Sequence, residues 1–516
     1  MTTLRRPTLT AIIATLGPAS ESPEMVRKLI LGGVSIFRLN FSHGDLPKHA
    51  ERLKVVRAVA REIGTPVAVL GDLQGPKIRV GVLPPDGVTL EAGQDVLFDV
   101  TSGAAPAVAS GEARAAVLPC EYEAIVRDVQ TGHRVLVNDG AIRLLAVDSQ
   151  PDDPPHALRC RVVVGGLVTS RKGINLPDSN VRAPAITERD WECVQWSVQH
   201  GLDFLALSFV RRAEEVATLR KALAGMCSVD PNVESMTGEG AMIPVVAKIE
   251  KPQAVANIDA ILEVADAIMV ARGDLGVEME LPQVPIVQKL LLEKSDEWGK
   301  PCIVATQMLE TMIENATPTR AEVSDVAHAV FDGADAVMLS GETAVGRHPL
   351  LVVETMRRTI EAAEARMAGS VKEPSPPARL IESRYRTAAL AHGAWHVARD
   401  LGAKLVVCWS QRGGAARYLS QNGFAFPIIA YSSDERETRR MALLRGVTAI
   451  YSPVPAGGSL GAWNEQADRE LVARGWAAVG DPIVLIAGRP LGQSGAANTV
   501  AVHYVGNSFT GFRQHA

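Results

Sequence analysis

The sequence contains no Cys-x-x-Cys pair, and its six cysteines (Cys120, Cys160, Cys193, Cys227, Cys302 and Cys408) stand singly. That scatter excludes a disulfide framework and a sequence-local zinc site, and it fits a chain kept in a reducing cytoplasm. There is also no block of like charge. The formal net charge of −5 is spread over 516 residues, so nothing offers the concentrated basic surface that nucleic acid or an anionic membrane requires, and neither is expected as a partner. Long hydrophobic runs are absent too. The apolar stretch near the N-terminus is short and stops at Gly17-Pro18, which speaks against both a signal peptide and a membrane span. What remains is a globular composition, 47% hydrophobic and 22% charged, with enough chain for several domains and with small-molecule chemistry as the leading expectation.

Short apolar runs recur along that chain: "TAIIATLG" (10–17), "VSIFRLNFS" (34–42), "PVAVLGDLQ" (66–74), "DFLALSFV" (203–210), "PVVAKIE" (244–250), "AIMVARGD" (267–274), "PCIVATQ" (301–307) and "AVMLSGE" (336–342). Continuous apolar runs of this length read as parallel strands buried on both faces. Between them lie segments of helical periodicity, among them "SPEMVRKLILGG", "RRAEEVATLRKALAG", "KPQAVANIDAILEVA" and "PIVQKLLLEKSDEWG", and "PLLVVETMRRTIEAAEARM" follows the eighth run. Eight strand-and-helix units predict an α/β fold built on a (β/α)8 TIM barrel.

The third and fourth runs are separated by far more chain than a crossover helix needs. Residues 81–175 alternate like strands, and "HRVLVNDGAIRLLAV" turns at Asn138-Asp139-Gly140. An inserted β-barrel-like cap domain is expected there. "GSVKEPSPPARLIE" reads as a linker, and "LGAKLVVCWS", "FPIIAYS" and "DPIVLIAG" announce a C-terminal α/β domain. The expected division is 1–80 with 176–368 for the barrel, 81–175 for the cap and 383–516 for the last domain.

In such a barrel the chemistry collects where the strands end. The second run closes with Arg38, Asn40 and Ser42, the third with Asp72, the fifth with Lys248 and Glu250, the sixth with Arg272 and Asp274, and the seventh with Thr306. Lys248 and Glu250 flank Ile249 and share one face of a strand. Two neighbouring carboxylates, Glu250 and Asp274, suit one hard divalent cation, Mg²⁺ or Mn²⁺, while Arg38 and Lys248 suit a phosphoryl group. Taken singly, Lys248 with Glu250 also reads as a structural rim pair, Asp274 as a helix cap in "GDLG", and His43 as an ordinary loop histidine. The convergence of complementary charges on one mouth favours function.

These residues sit in longer motifs. "RLNFSHG" (38–44), "GPKIR" (75–79), "RKGINLP" (171–177), "AKIEKP" (247–252), "MVARGDLGVE" (269–278), "ATQMLETM" (305–312), the 318–349 segment that ends in "SGETAVGRHP" and "SGAANTVAVHYVG" (494–506) resemble, in order, those of the pyruvate kinases. The resemblance implies a barrel, a cap after strand three and a C-terminal regulatory domain. It implies the last step of glycolysis, transfer of the phosphoryl group of phosphoenolpyruvate to ADP, giving pyruvate and ATP, in a cytoplasmic allosteric homotetramer. Carried over, it puts Arg38 and Lys248 on the phosphoryl group, Glu250 and Asp274 on Mg²⁺, and Gly273, Asp274 and Thr306 at the substrate carboxylate. Asn40, Ser42, His43, Arg79 and Lys172 match nucleotide-side positions. Many members hold K⁺ with an Asn, a Ser, an Asp and a following Thr, and carry a Glu after "GP". Here Asn40, Ser42 and Asp72 are kept, but "LQGPK" (73–77) puts Leu73 in the threonine position and Lys77 in the glutamate position. That resembles the K⁺-independent branch, with Lys77 standing in for the cation. The effector loop "SQRGGAAR" (410–417) keeps Ser410 and places Arg412 where sugar-bisphosphate-activated members have a hydroxyl, which suggests a monophosphate effector. A metal-dependent lyase or aldolase acting through an enolate, and an inactive ligand sensor, are the competing expectations. The insert and Lys172 oppose the first, and the filled catalytic positions oppose the second.

Overall fold

The computed structural model describes residues 8–100, 115–150, 157–227, 242–367, 377, 379, 382, 384–423, 426–493, 495 and 497–512. Its centre is a closed barrel of eight parallel strands: β1 (Ala11–Thr15), β2 (Val34–Asn40), β3 (Ala68–Asp72), β12 (Phe204–Leu207), β13 (Val245–Ile249), β14 (Ala267–Ala271), β15 (Cys302–Ala305) and β16 (Ala336–Leu339). Each lies within one of the eight apolar runs. Inside, side chains such as Ile13, Ile36, Leu70, Met269, Ile303 and Met338 fill the lumen, while a separate apolar layer packs the strands against the helices. Local signals set the helix ends. Ser22 accepts from Met25 N–H at the start of Pro23–Gly32, Gly33 (φ 117°) closes it, and Thr187 and Thr319 each form a reciprocal capping pair with the acid three residues on.

Two expectations need correction. "KPQAVANIDAILEVA" is two helices, Pro252–Ala256 and Ile258–Val264, because Asn257 between them turns its side-chain amide to the carbonyls of Gln253 and Arg211. The sixth apolar run stops being a strand at Ala271, and Arg272–Glu278 is a helix.

Between β3 and β12 the chain builds a six-stranded sheet in the order β11 (Ile174–Asn175), β7 (Arg134–Val137), β8 (Ile142–Gln150), β9 (Ala157–Val164), β5 (Asp95–Asp99) and β6 (Ala116–Pro119), plus a two-stranded ribbon, β4 (Val88–Leu90) with β10 (Gly166–Val168). Its core is its own, around Phe98, Val135, Leu144 and Leu158. Ala141 N–H closes the turn on the Asn138 carbonyl (3.1 Å), and the two central residues, Asp139 (φ 52°) and Gly140 (φ 82°), both take the left-handed conformation that a two-residue hairpin turn demands. The C-terminal unit is a five-stranded sheet in the order β19 (Val447–Tyr451), β18 (Ile428–Ser432), β17 (Val406–Trp409), β20 (Pro482–Gly488) and β21 (Ala497–Tyr504), with only β21 antiparallel. Most of the linker segment 369–382 lies outside the described residues. Among the described residues no helix is long and apolar enough to cross a membrane.

The C-terminal unit closes the bottom of the barrel, where Leu443 joins the cluster that fills the lumen. A fully buried carboxylate, Asp203 just before β12, ties the two together by accepting from Arg57 (2.7 Å), Val69 N–H (2.7 Å) and Arg439 (2.9 Å). Asp203→Ala strands all three donors, and each buried donor without an acceptor costs about 1–3 kcal/mol. Urea unfolding is expected to show a loss of at least ~2 kcal/mol. Arg439→Ala, which leaves Arg57 on Asp203, should lose less; equal losses would place the anchor elsewhere.

Candidate active site

At the C-terminal end of the barrel, β2, β3 and β13 bring Arg38, Asp72 and Lys248 together, all buried. Arg38 donates from Nε (2.7 Å) and Nη2 (2.6 Å) to Oδ2 of Asp72, and from Nη1 to the Thr15 hydroxyl (3.1 Å). The ammonium of Lys248 lies 3.2 Å from Oδ1 of the same Asp72, 2.8 Å from Oε1 of Glu250 and 2.7 Å from the Ser208 hydroxyl. Ser208 in turn donates to the Leu73 carbonyl (2.6 Å), and Glu250 Oε2 accepts from Phe209 N–H (2.6 Å). Phe209 is held in the left-handed region (φ 53°) to make that bond.

Two cations and two carboxylates are thus interleaved away from bulk water. Burial acts against the ammonium of Lys248, but the facing carboxylates of Asp72 and Glu250 outweigh it and raise its pKa, so it stays charged. Burial likewise opposes ionisation of Asp72, and Lys248 and Arg38 overcome it, lowering its pKa. Glu250 is different. Burial pushes its carboxyl up, Lys248 opposes, and the negative charge of Asp274 pushes it further up. A carboxyl raised by a neighbouring carboxylate, with free lone pairs on both oxygens of Glu250, fits a hard divalent cation. Among the described residues no third histidine, cysteine or acid completes a cluster.

Arg272 closes its run as expected but turns away from the mouth. It heads the helix Arg272–Glu278 and is committed to Asp325 (2.7 Å), Gln288 (3.2 Å) and the Thr306 carbonyl (2.8 Å). Its role is to brace that helix against β15. Asp274 is inside the first turn rather than at the cap, which is Ala271. Gly273 N–H donates to the Thr306 hydroxyl (2.7 Å), and Thr306 takes φ 68°, uncommon for a β-branched residue, to offer it. Gly273, Asp274 and Thr306 therefore form one unit beside Glu250.

The barrel residues 7–353 match the family model "Pyruvate kinase, barrel domain", and residues 388–503 match "Pyruvate kinase, alpha/beta domain". The chain belongs to the pyruvate kinase family. It is similar to the pyruvate kinase of Mycobacterium intracellulare, 39% identical over 96% of this chain and 98% of that one, and to that of Corynebacterium glutamicum, 38% identical over the same shares. A crystal structure of a pyruvate kinase from Cryptosporidium parvum superposes with a TM-score of 0.83 at 31% identity, covering 96% of both chains. The protein is a phosphotransferase with the pyruvate kinase fold.

Of the nucleotide-side positions, Asn40 pairs in register with Asp72 across β2 and β3 and accepts from Ser42 N–H (3.1 Å), while Ser42 and His43 are exposed. Arg79 bridges to the returning segment at Gly173 and donates to the Arg171 carbonyl (3.0 Å), which puts Arg79 and Lys172 on the two adjoining chain segments that join the inserted sheet to the barrel. Lys77 does not join the cluster. It is exposed, makes no ion pair among the described residues, and its stem runs along Gly173, where a Cβ would meet Cε at 3.0 Å. The preceding loop is fixed from below, since Asp190 accepts from Gln74 and Gly75 N–H. Ser410 and Arg412 line one crevice with Gly488, Pro490 and Gln493, bringing the 410–417 loop beside residues 488–493, although the Ser410 hydroxyl already accepts from Ala416 N–H.

Ser208 and Glu278 escaped the sequence reading. Ser208 carries the same signal as its neighbours, a polar residue closing an apolar run. Glu278 carries none: it is buried, accepts from Asn175 of β11 (2.8 Å) and pairs with Lys251, so it joins the returning edge of the inserted sheet to the helix that bears Asp274.

Proposed function

We propose that the protein transfers the phosphoryl group of phosphoenolpyruvate to ADP, giving pyruvate and ATP, as the last step of glycolysis in the cytoplasm. The observation that carries this reading is the Lys248 ammonium, held within 3.2 Å of Asp72, Glu250 and Ser208 beside Arg38. Phosphoryl transfer asks the protein for positioning and for fixed positive charge more than for covalent chemistry. Arg38 and Lys248 hold the phosphoryl group. Glu250 and Asp274 hold a divalent cation, Mg²⁺ or Mn²⁺, which when bound supplies neutralisation of phosphoryl and enolate oxygens. Gly273, Asp274 and Thr306 receive the substrate carboxylate, and Asn40, Ser42, His43, Arg79 and Lys172 face the nucleotide. The inserted sheet, residues 81–175, acts as a cap hinged at Arg79 and Lys172, and closing it keeps water from the phosphoryl group. Purified protein with phosphoenolpyruvate, ADP and Mg²⁺ should make ATP; none under any effector condition sinks the reading.

Lys77 replaces a monovalent cation, so K⁺ is not required. The chain assembles as a homotetramer, and residues 383–516 regulate it through the crevice at Ser410 and Arg412. With an arginine and glycines where hydroxyls would cradle a second phosphate, that crevice favours a nucleotide or sugar monophosphate. Micromolar fructose 1,6-bisphosphate is therefore expected to leave the phosphoenolpyruvate saturation curve unchanged, and strong activation by it would overturn this assignment.

A further inference from the structure

On the side of the barrel opposite the carboxylate cluster, the C-terminal unit leaves a crevice against the lower rim, of about 760 Å³ counting the part open to solvent. The barrel contributes an apolar wall, with Phe204 at the start of β12 and Met242 before β13. Leu443 faces them from the C-terminal unit. Three arginines, Arg412, Arg417 and Arg440, line the same space against one carboxylate, Asp266, which is already paired with Arg220.

Two of these arginines are incompletely used. Arg440 is 2% exposed; its Nη1 donates to Glu437 (2.8 Å) and its Nη2 to the Met242 carbonyl (3.1 Å), but its Nε has no partner. Arg417 Nε is also buried with no partner, and Arg417 Nη2 reaches only the Tyr418 hydroxyl, at 3.4 Å. Buried guanidinium N–H groups are rarely left without an acceptor, because desolvating them gains nothing in return. Two such donors on one crevice call for an acceptor that the chain does not supply, and the excess of positive charge calls for that acceptor to be an anion. The apolar wall calls for a ligand with a body as well as a charge.

We propose that this crevice binds a small organic oxyanion, an apolar body bearing one carboxylate or phosphate group, with the anionic end on Arg417 and Arg440 and the body against Phe204, Met242 and Leu443. The site is separate from the crevice at Ser410. The two share Arg412, Gly414 and Arg417, but Arg440, Phe204 and Met242 line only this one. A ligand seated here touches the barrel rim and the C-terminal unit at once.

The test is calorimetric titration of the full-length protein with phenyl phosphate and, in a parallel arm, benzoate; the tighter of the two assigns the head group. Wild type is expected to show, for at least one probe, a saturable site additional to the crevice at Ser410 and the barrel mouth. Arg440→Lys keeps the charge that faces Glu437 but removes Nε, and should weaken that probe about tenfold, as expected for losing a charge-assisted bond. Gln493→Ala, on the neighbouring crevice only, should change nothing. Should the melting temperature show that Arg440→Lys has not folded, Arg417→Gln, at a half-exposed position, provides the same comparison. The reverse pattern, unchanged binding in the arginine variants, equal affinity for inorganic phosphate, or no saturable binding of either probe overturns the proposal.

Discussion

Replacing Lys248 with methionine is expected to lower kcat by about 10²–10³, the loss seen when one preorganised electrostatic donor is removed from an active site. On the proposed reading the ammonium meets the transferring phosphoryl group, whose charge it faces most strongly in the transition state, so the loss should fall on kcat more than on KM. The neighbourhood explains why the substitution should leave the fold intact. Asp72 keeps both bonds from Arg38, Glu250 keeps the Phe209 N–H, and methionine nearly matches the volume of the lysine stem. Melting temperature and phosphoenolpyruvate protection against unfolding report on that separately. Lys248→Arg should recover little, because a planar fork cannot reach Asp72, Glu250 and Ser208 from one point as an ammonium does. A fall of less than about tenfold in the methionine variant contradicts the assignment.

How much of this site could be read from the sequence depends on what fixes each residue. The eight barrel strands were legible because strands buried on both faces must be apolar throughout, and the polar residue ending each run is then conspicuous. Arg38, Asp72, Lys248 and Glu250 were found that way. β19 and β21 were not, because each is an edge strand with partly exposed side chains and no such run. Arg272 passed the same test and turned out to be a brace, since its partner Asp325 is 53 residues away and the strand has already become a helix. Glu278 was invisible for the same reason: Asn175, 103 residues away, gives it meaning. A strand-end rule locates the mouth of a barrel. It does not say which side chains enter it.

Lys77 is the residue for which that distinction has the largest consequence after Lys248. Asp72 carries the negative charge that a monovalent cation would share with Asn40 and Ser42, and in this structure Arg38 and Lys248 neutralise it. Lys77 stands where the inserted sheet leaves the barrel, on the loop that Asp190 holds, with its stem against Gly173 of the returning segment. Its flexible four-carbon stem carries a compact charge, and on the proposed reading closure of the cap brings that ammonium toward the phosphoryl group. Arg79 cannot substitute, because its charge is spread over a planar guanidinium rather than held at one compact point. The expected results are full wild-type activity in buffers containing only Tris or tetramethylammonium, and a loss of about tenfold or more, ~1.4 kcal/mol in the barrier, for Lys77→Glu. The new glutamate also restores an acidic cation site beside Asn40, Ser42 and Asp72. Added K⁺ should therefore recover part of the activity of Lys77→Glu and none of that lost in Lys248→Met, which separates a missing monovalent charge from a missing transition-state contact. Steady-state rates with and without about 100 mM K⁺, roughly a hundred times a millimolar dissociation constant, decide the matter. A wild-type enzyme that gains more than about tenfold from K⁺, or a Lys77→Glu variant indistinguishable from wild type in its absence, would show that Lys77 is a solvent-facing rim lysine and that the cation comes from outside.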